Sequence, residues 1–174
     1  GQEVGEDIDD DMLPTWKSDF NIFETRSEPD TDESVVYLLI DASGSMNHAN
    51  RGYQASKAAM FLAMLCEAAN IPCEIVHFNS RGNGSGGTTP LHVRKAFGQS
   101  VKSRKYVISQ PYASGGNCDA AAVRAACERL LGHPNKQKVL FHISDGHPTE
   151  TDVDGIDAGT ALKNAIDEYS RSVY

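Results

Sequence analysis

The chain has 174 residues, 24 of them Asp or Glu against 16 Lys or Arg, for a formal net charge of −8. That length suits one ordinary domain with a real core plus an appended segment, and the acidic balance excludes the basic footprint of a nucleic-acid binder. No apolar run approaches the roughly 18 residues of a membrane span, and no signal-peptide pattern opens the sequence, so the expected compartment is the cytoplasm.

In chain order, residues 1–33 carry Glu3, Glu6, Asp7, Asp9, Asp10, Asp11, Glu28, Asp30, Asp32 and Glu33. This is expected to be an acidic N-terminal arm or solvated linker. An apolar cluster inside it, Leu13-Pro14-Thr15-Trp16 with Phe20, Ile22 and Phe23, is expected to dock against the domain or a partner. The domain then runs over 34–174. Val35 to Asp41 predicts a buried strand, and Tyr53 to Ala69 a helix with Ala58, Phe61, Leu62 and Leu65 at helical spacing, stopped by Pro72. Cys73 to Phe78 predicts a second strand, residues 82–90 a glycine-rich loop in which Thr88 and Thr89 are turn residues, and Leu91 to Phe97 an edge strand. A region of no fixed type continues through Tyr106-Val107-Ile108. A glycine turn, Ser114-Gly115-Gly116-Asn117, then feeds a helix over Ala120 to Leu131. Lys138 to Asp145 predicts a third apolar strand, and Ala158 to Ser172 a last helix with Leu162, Ala165, Ile166 and Tyr169 on one face. Such alternation implies an α/β fold: a Rossmann-like, doubly wound, mostly parallel sheet flanked by helices.

Chemistry concentrates where strands end. Asp41-Ala42-Ser43-Gly44-Ser45 sets a carboxylate and two hydroxyls on alternate positions, which share a face while the chain stays extended. Asp145 ends the third apolar strand, and the two acids are expected to meet at the carboxyl edge of the sheet, where open α/β sheets bind ligands. Asn117 and Asp119 stand in the glycine turn between them, with the choice of direct ligand open. These donors are all hard oxygen, suited to Mg²⁺, with Mn²⁺ or Ca²⁺ as alternatives, and offer nothing soft for zinc or copper. His48 and His147 are expected to be solvated at the rim, and His77 and His142 to be packed or hydrogen-bonded. Glu150 and Asp152 are expected to cap the segment before the last helix. Cys66, Cys73, Cys118 and Cys127 lack Cys-x-x-Cys spacing and read as structural thiols.

The Asp-x-Ser-x-Ser loop after an apolar strand resembles the first metal-ligand loop of von Willebrand factor A (VWA) domains. Those domains place a Gly-Gly-x-Thr loop where this chain has Asn117 and Asp119. The block from Asn117 through Arg129-Leu130-Leu131 to Ile143-Ser144-Asp145-Gly146-His147-Pro148 resembles more narrowly the carboxyl-terminal domain of the cobaltochelatase CobT subunit. The resemblance spans roughly Ser34 to Asp152. It implies a divalent-cation-dependent (MIDAS-type) protein-interaction module, metal ligands Asp41, Ser43, Ser45, Asn117, Asp119 and Asp145, and a partner that offers an Asp or Glu to the ion. It also implies a non-ATPase subunit of a chelatase-type complex driven by an AAA+ ATPase, and the sequence contains no Gly-x-x-x-x-Gly-Lys-(Ser/Thr) phosphate loop. A complete VWA sheet calls for one or two more strands after the last helix than the sequence supplies. Two alternatives stand beside this reading. One is a metal-dependent phosphoesterase or nuclease using Asp41, Asp119 and Asp145, disfavoured by the absence of a general base or of a Lys or Arg beside the acids. The other is a metal-free scaffold whose motifs only build turns.

Overall fold

The computed structural model describes residues 33–81, 89–146 and 148–170, and the backbone of 7–8 and 23–24. Most of the acidic arm and its apolar cluster, Thr88 with the rest of the loop 82–88, His147 and the terminal Val173-Tyr174 lie outside the described residues. The chain divides into two units, residues 1–30 and 31–174. In the first, β1 (Asp7–Ile8) pairs antiparallel with β2 (Phe23–Glu24), Asp7 opposite Glu24 and Ile8 opposite Phe23.

In the second unit the unbroken apolar run forms β3 (Ser34–Asp41), buried from Val35 onward, as expected of a strand covered on both faces. Helix α1 (Arg51–Ala68), β4 (Cys73–Phe78), β5 (Leu91–Lys95), α2 (Val101–Ser109), α3 (Asp119–Leu131), β6 (Gln137–Ile143) and α4 (Ala158–Ser170) follow. The sheet order is β5-β4-β3-β6, with β3 parallel to both β4 and β6 and β5 antiparallel at one edge. Two layers pack on it. Val35, Tyr37 and Leu39 meet Val123, Ala126 and Leu130 of α3 and Ala161 and Ala165 of α4. Val36, Leu38 and Ile40 meet Ala55, Ala59 and Ala63 of α1 and Val101 and Ile108 of α2. The expected α/β class and mostly parallel sheet are present, and β6 is the second sheet edge among the described residues.

Two expectations need correction. Helix α1 does not bury Ala58, Phe61 and Leu65; it buries Ala55, Ser56, Ala59, Ala63 and Cys66, leaving Phe61 61% and Leu65 50% exposed. Small residues at i, i+4 and i+8 let the helix backbone approach the sheet closely, and that stripe outcompetes the bulkier one. The stretch through Tyr106-Val107-Ile108 is helix α2, with the Ser100 hydroxyl accepting from the Ser103 N–H. Only Val101 and Ile108 of its nine residues are buried, too sparse a period to announce a helix.

His77 on β4 is 2% exposed, and neither ring nitrogen has a hydrogen-bond partner. Burial first, then the charges of Arg94 and His92, pushes its pKa down to about 3. The folded ring is therefore neutral, whereas an unfolded histidine titrates near 6.5, so the unfolded chain binds the extra proton between those values. Stability is expected to be fully present above about pH 6.5 and to fall as pH drops through this window, by up to about 1.4 kcal/mol per pH unit. Urea unfolding at pH 7, 6 and 5 checks this, with a shallower dependence expected for His77→Phe.

Candidate metal centre

Register brings the strand ends together. Ile40 pairs with Ile143 on β6, so Asp41 and the segment Ser144-Asp145 leave the sheet side by side at its carboxyl edge. The Asp41 loop turns at once into a 3₁₀ stretch, Gly44–Asn50, held against the glycine turn by two backbone bonds: Gly44 N–H to the Gly115 carbonyl at 2.9 Å and Ser114 N–H to the Ala42 carbonyl at 2.8 Å. The glycine turn is anchored in turn by Ser80, whose N–H donates to the Gly116 carbonyl at 2.8 Å. Gly115 has φ +76°, a left-handed conformation, and a Cβ there would lie 2.4 Å from the Ser80 carbonyl oxygen.

Asp41 is 1% exposed. Its Oδ1 accepts from the Ser43 N–H at 2.7 Å, and its Oδ2 accepts from Asn117 Nδ2 and from the Ser144 hydroxyl, each at 3.3 Å. Burial raises its pKa, the hydrogen bonds from Ser43 oppose that, and the negative charges of Asp119 and Asp145 raise it further. The Ser43 and Ser45 hydroxyl oxygens are 3.0 Å apart. The structure thus brings Asp41, Ser43, Ser45, Asn117, Asp119 and Asp145 to one corner of the fold.

They do not present equivalent atoms. The Asn117 Oδ1 accepts from the Thr149 N–H at 2.9 Å and from its hydroxyl at 2.6 Å. A backbone N–H can only donate, which identifies the atom it meets as the oxygen and leaves the amide NH₂ facing Asp41. Asn117 therefore holds Asp41 in place while its oxygen is engaged elsewhere. Asp119, at the start of α3 and 1% exposed, lies 2.9 Å from His142 Nε2 at Oδ1, an ion-pair distance, yet neither of its oxygens makes a well-formed hydrogen bond. Asp145 Oδ2 accepts from Arg51 Nη1 at 3.0 Å.

Arg51 corrects the expectation that no Lys or Arg stands beside the acids; it lies 94 residues away in sequence and no local pattern connects the two. Thr149 lies outside any motif, and Ser144, although inside the Asp145 segment, carries no sequence signal that marks it as a donor to Asp41. Asp152 does not cap α4: it pairs with Arg124 of α3, and Asp157 caps the helix by accepting from the Thr160 N–H at 3.0 Å. His48 is exposed and His142 is packed against Phe78, with ring centroids 5.7 Å apart. Cys66, Cys73, Cys118 and Cys127 are all free, and the first three are buried.

Buried Asp41 feels the negative charges of buried Asp119 and of Asp145, whose side chain is also covered, and the Asp119 oxygens find no hydrogen bond; this set fits a hard divalent cation. Among the described residues no three His, Cys, Asp or Glu side chains converge tightly enough to hold an ion alone. Hydroxyls and water would complete the set, which is how Mg²⁺ prefers to be bound.

With this geometry in view, residues 91–173 match the model of one family, described as the cobalamin biosynthesis protein CobT VWA domain. That stretch, just under half of the chain, is similar to this family. The matched span contains Asn117, Asp119 and Asp145 and excludes the Asp41 loop. No curated protein matches the chain. Among solved structures, the pilus adhesin SpaC from Lactobacillus rhamnosus GG is similar at 20% identity and TM-score 0.51, over 67% of this chain and 16% of that one. The pilus adhesin RrgA from Streptococcus pneumoniae is similar at 19% identity and TM-score 0.53, over 72% and 22%. Proximal thread matrix protein 1 from the mussel byssus is similar at 16% identity and TM-score 0.51, over 79% and 35%. The chain spans about a third or less of each of these proteins, and the likeness is one of fold alone. Among the described residues no helix is long and apolar enough to cross a membrane.

Proposed function

We propose that this domain is a divalent-cation-dependent, MIDAS-type interaction module that binds Mg²⁺ and, through it, an Asp or Glu of a protein partner. The observation that carries this reading is the convergence of buried Asp41 and Asp119 and the covered side chain of Asp145 with the Ser43 and Ser45 hydroxyls at one sheet edge. In this reading Asp41, Ser43 and Ser45 hold the ion, and Asp119 rather than Asn117 supplies the further oxygen, directly or through water. Asp145 orients a coordinated water. The protein donates few direct charges, so coordination positions remain for water or for a partner's carboxylate. The CobT-like match supports membership in a chelatase-type assembly of cobalamin biosynthesis, in which this chain serves as the non-ATPase subunit beside an AAA+ partner. Arg51 removes one objection to a phosphoesterase, but its Nη1 is committed to Asp145 and so does not favour that reading.

Calorimetric titration of Mg²⁺ into chelator-stripped protein tests the proposal. One saturable site is expected, lost in Asp41→Ala. An identical titration curve in the variant would overturn it.

A further inference from the structure

Arg51 is the first residue of α1 and follows directly on the 3₁₀ stretch that begins in the Asp41 loop. Its ion pair with Asp145 is asymmetric: the acid side chain is 3% exposed, the guanidinium-bearing one 49%. The acid is held in place by burial, whereas the arginine is not. Arg51 also lines an open cavity of about 480 Å³ with Met46, Gln54, Ala58, Ile143 and Asp145, which leaves its side chain room to move off the acid without disturbing the core. Asp145 in turn acts electrostatically on Asp41, so a charge placed on Asp145 is felt at the proposed ion position.

We infer that Arg51 is a built-in counter-ion of the metal centre, competing with the divalent cation for the negative charge of Asp145 and thereby weakening cation affinity. This inference rests on the metal-binding reading above. Because the arginine is half exposed, added salt screens it. Arg51 thus sets the cation concentration at which the site loads.

Mg²⁺ is titrated calorimetrically into chelator-stripped wild type, Arg51→Gln and Arg51→Lys at low and high ionic strength, with thermal melts confirming that each is folded. The glutamine variant is expected to bind about tenfold more tightly than wild type at low salt, the scale of one nearby like charge. The lysine variant is expected to stay within about twofold of wild type, and raising the salt to narrow the glutamine gap. Unchanged or weaker binding by Arg51→Gln, or a gain that salt does not diminish, overturns the counter-ion role while leaving the metal site standing. Absence of Mg²⁺ binding in all three proteins overturns the metal reading and this inference together.

Discussion

Alanine at Gly115 is expected to lower stability by about 3 kcal/mol and to abolish Mg²⁺ binding with it. Two costs add. The residue sits at φ +76°, where a side chain is strained by about 1–2 kcal/mol. Its Cβ would also approach the Ser80 carbonyl oxygen to 2.4 Å, and neither partner is a flexible side-chain end that can step aside. Relieving the contact moves the Gly115 carbonyl, which accepts the Gly44 N–H and so fixes the loop bearing Ser43 and Ser45. Gly146 provides the control: its φ is +86°, but a Cβ there meets nothing within 4 Å. Gly146→Ala is expected to show the strain alone, about 1 kcal/mol. Urea unfolding and Mg²⁺ calorimetry on both variants separate the clash from the strain. Equal losses would show that the Ser80 contact yields easily.

Replacing Arg129 by alanine is expected to cost about 3 kcal/mol in the same unfolding assay. Glu74 on β4 is fully buried, and Arg129 of α3 grips both its oxygens, Nη2 to Oε1 at 2.8 Å and Nε to Oε2. The arginine is half exposed and rests over the Phe97 ring, so its own desolvation is modest. Its removal leaves a buried carboxylate without its ion-pair partner inside the sheet, where the nearby Tyr37 hydroxyl is itself pushed far above its usual range, mainly by burial and next by the Glu74 charge. Glu74→Leu combined with Arg129→Leu removes both charges and is expected to recover most of the loss. If Arg129→Ala unfolds within about 1 kcal/mol of wild type, water reaches Glu74 and the pair matters little.

The legible part of this protein is local. The apolar runs ending at Ile40 and Phe78 announce strands because their residues suit a sheet covered on both faces, and the run ending at Ile143 announces a strand too, although β6 alternates exposed and half-buried residues at the sheet edge. Asp41, Ser43 and Ser45 announce a hard-oxygen corner because their alternation alone sets them on one face, and Pro72 and the Gly115-Gly116 turn mark the breaks between elements. What the tertiary structure decided are relations between distant residues. Packing distance, not hydrophobicity, chose the Ala55-Ala59-Ala63 stripe of α1 over Phe61 and Leu65. Thr149, 32 residues on, takes the Asn117 oxygen and turns a candidate ligand into a clamp on Asp41. Arg51 meets Asp145 only because the parallel pairing of β3 and β6 lays their carboxyl ends together. A side chain's type and spacing determine what it can offer to a site. Which of its atoms is offered, and against what charge, depends on neighbours that only the folded chain supplies.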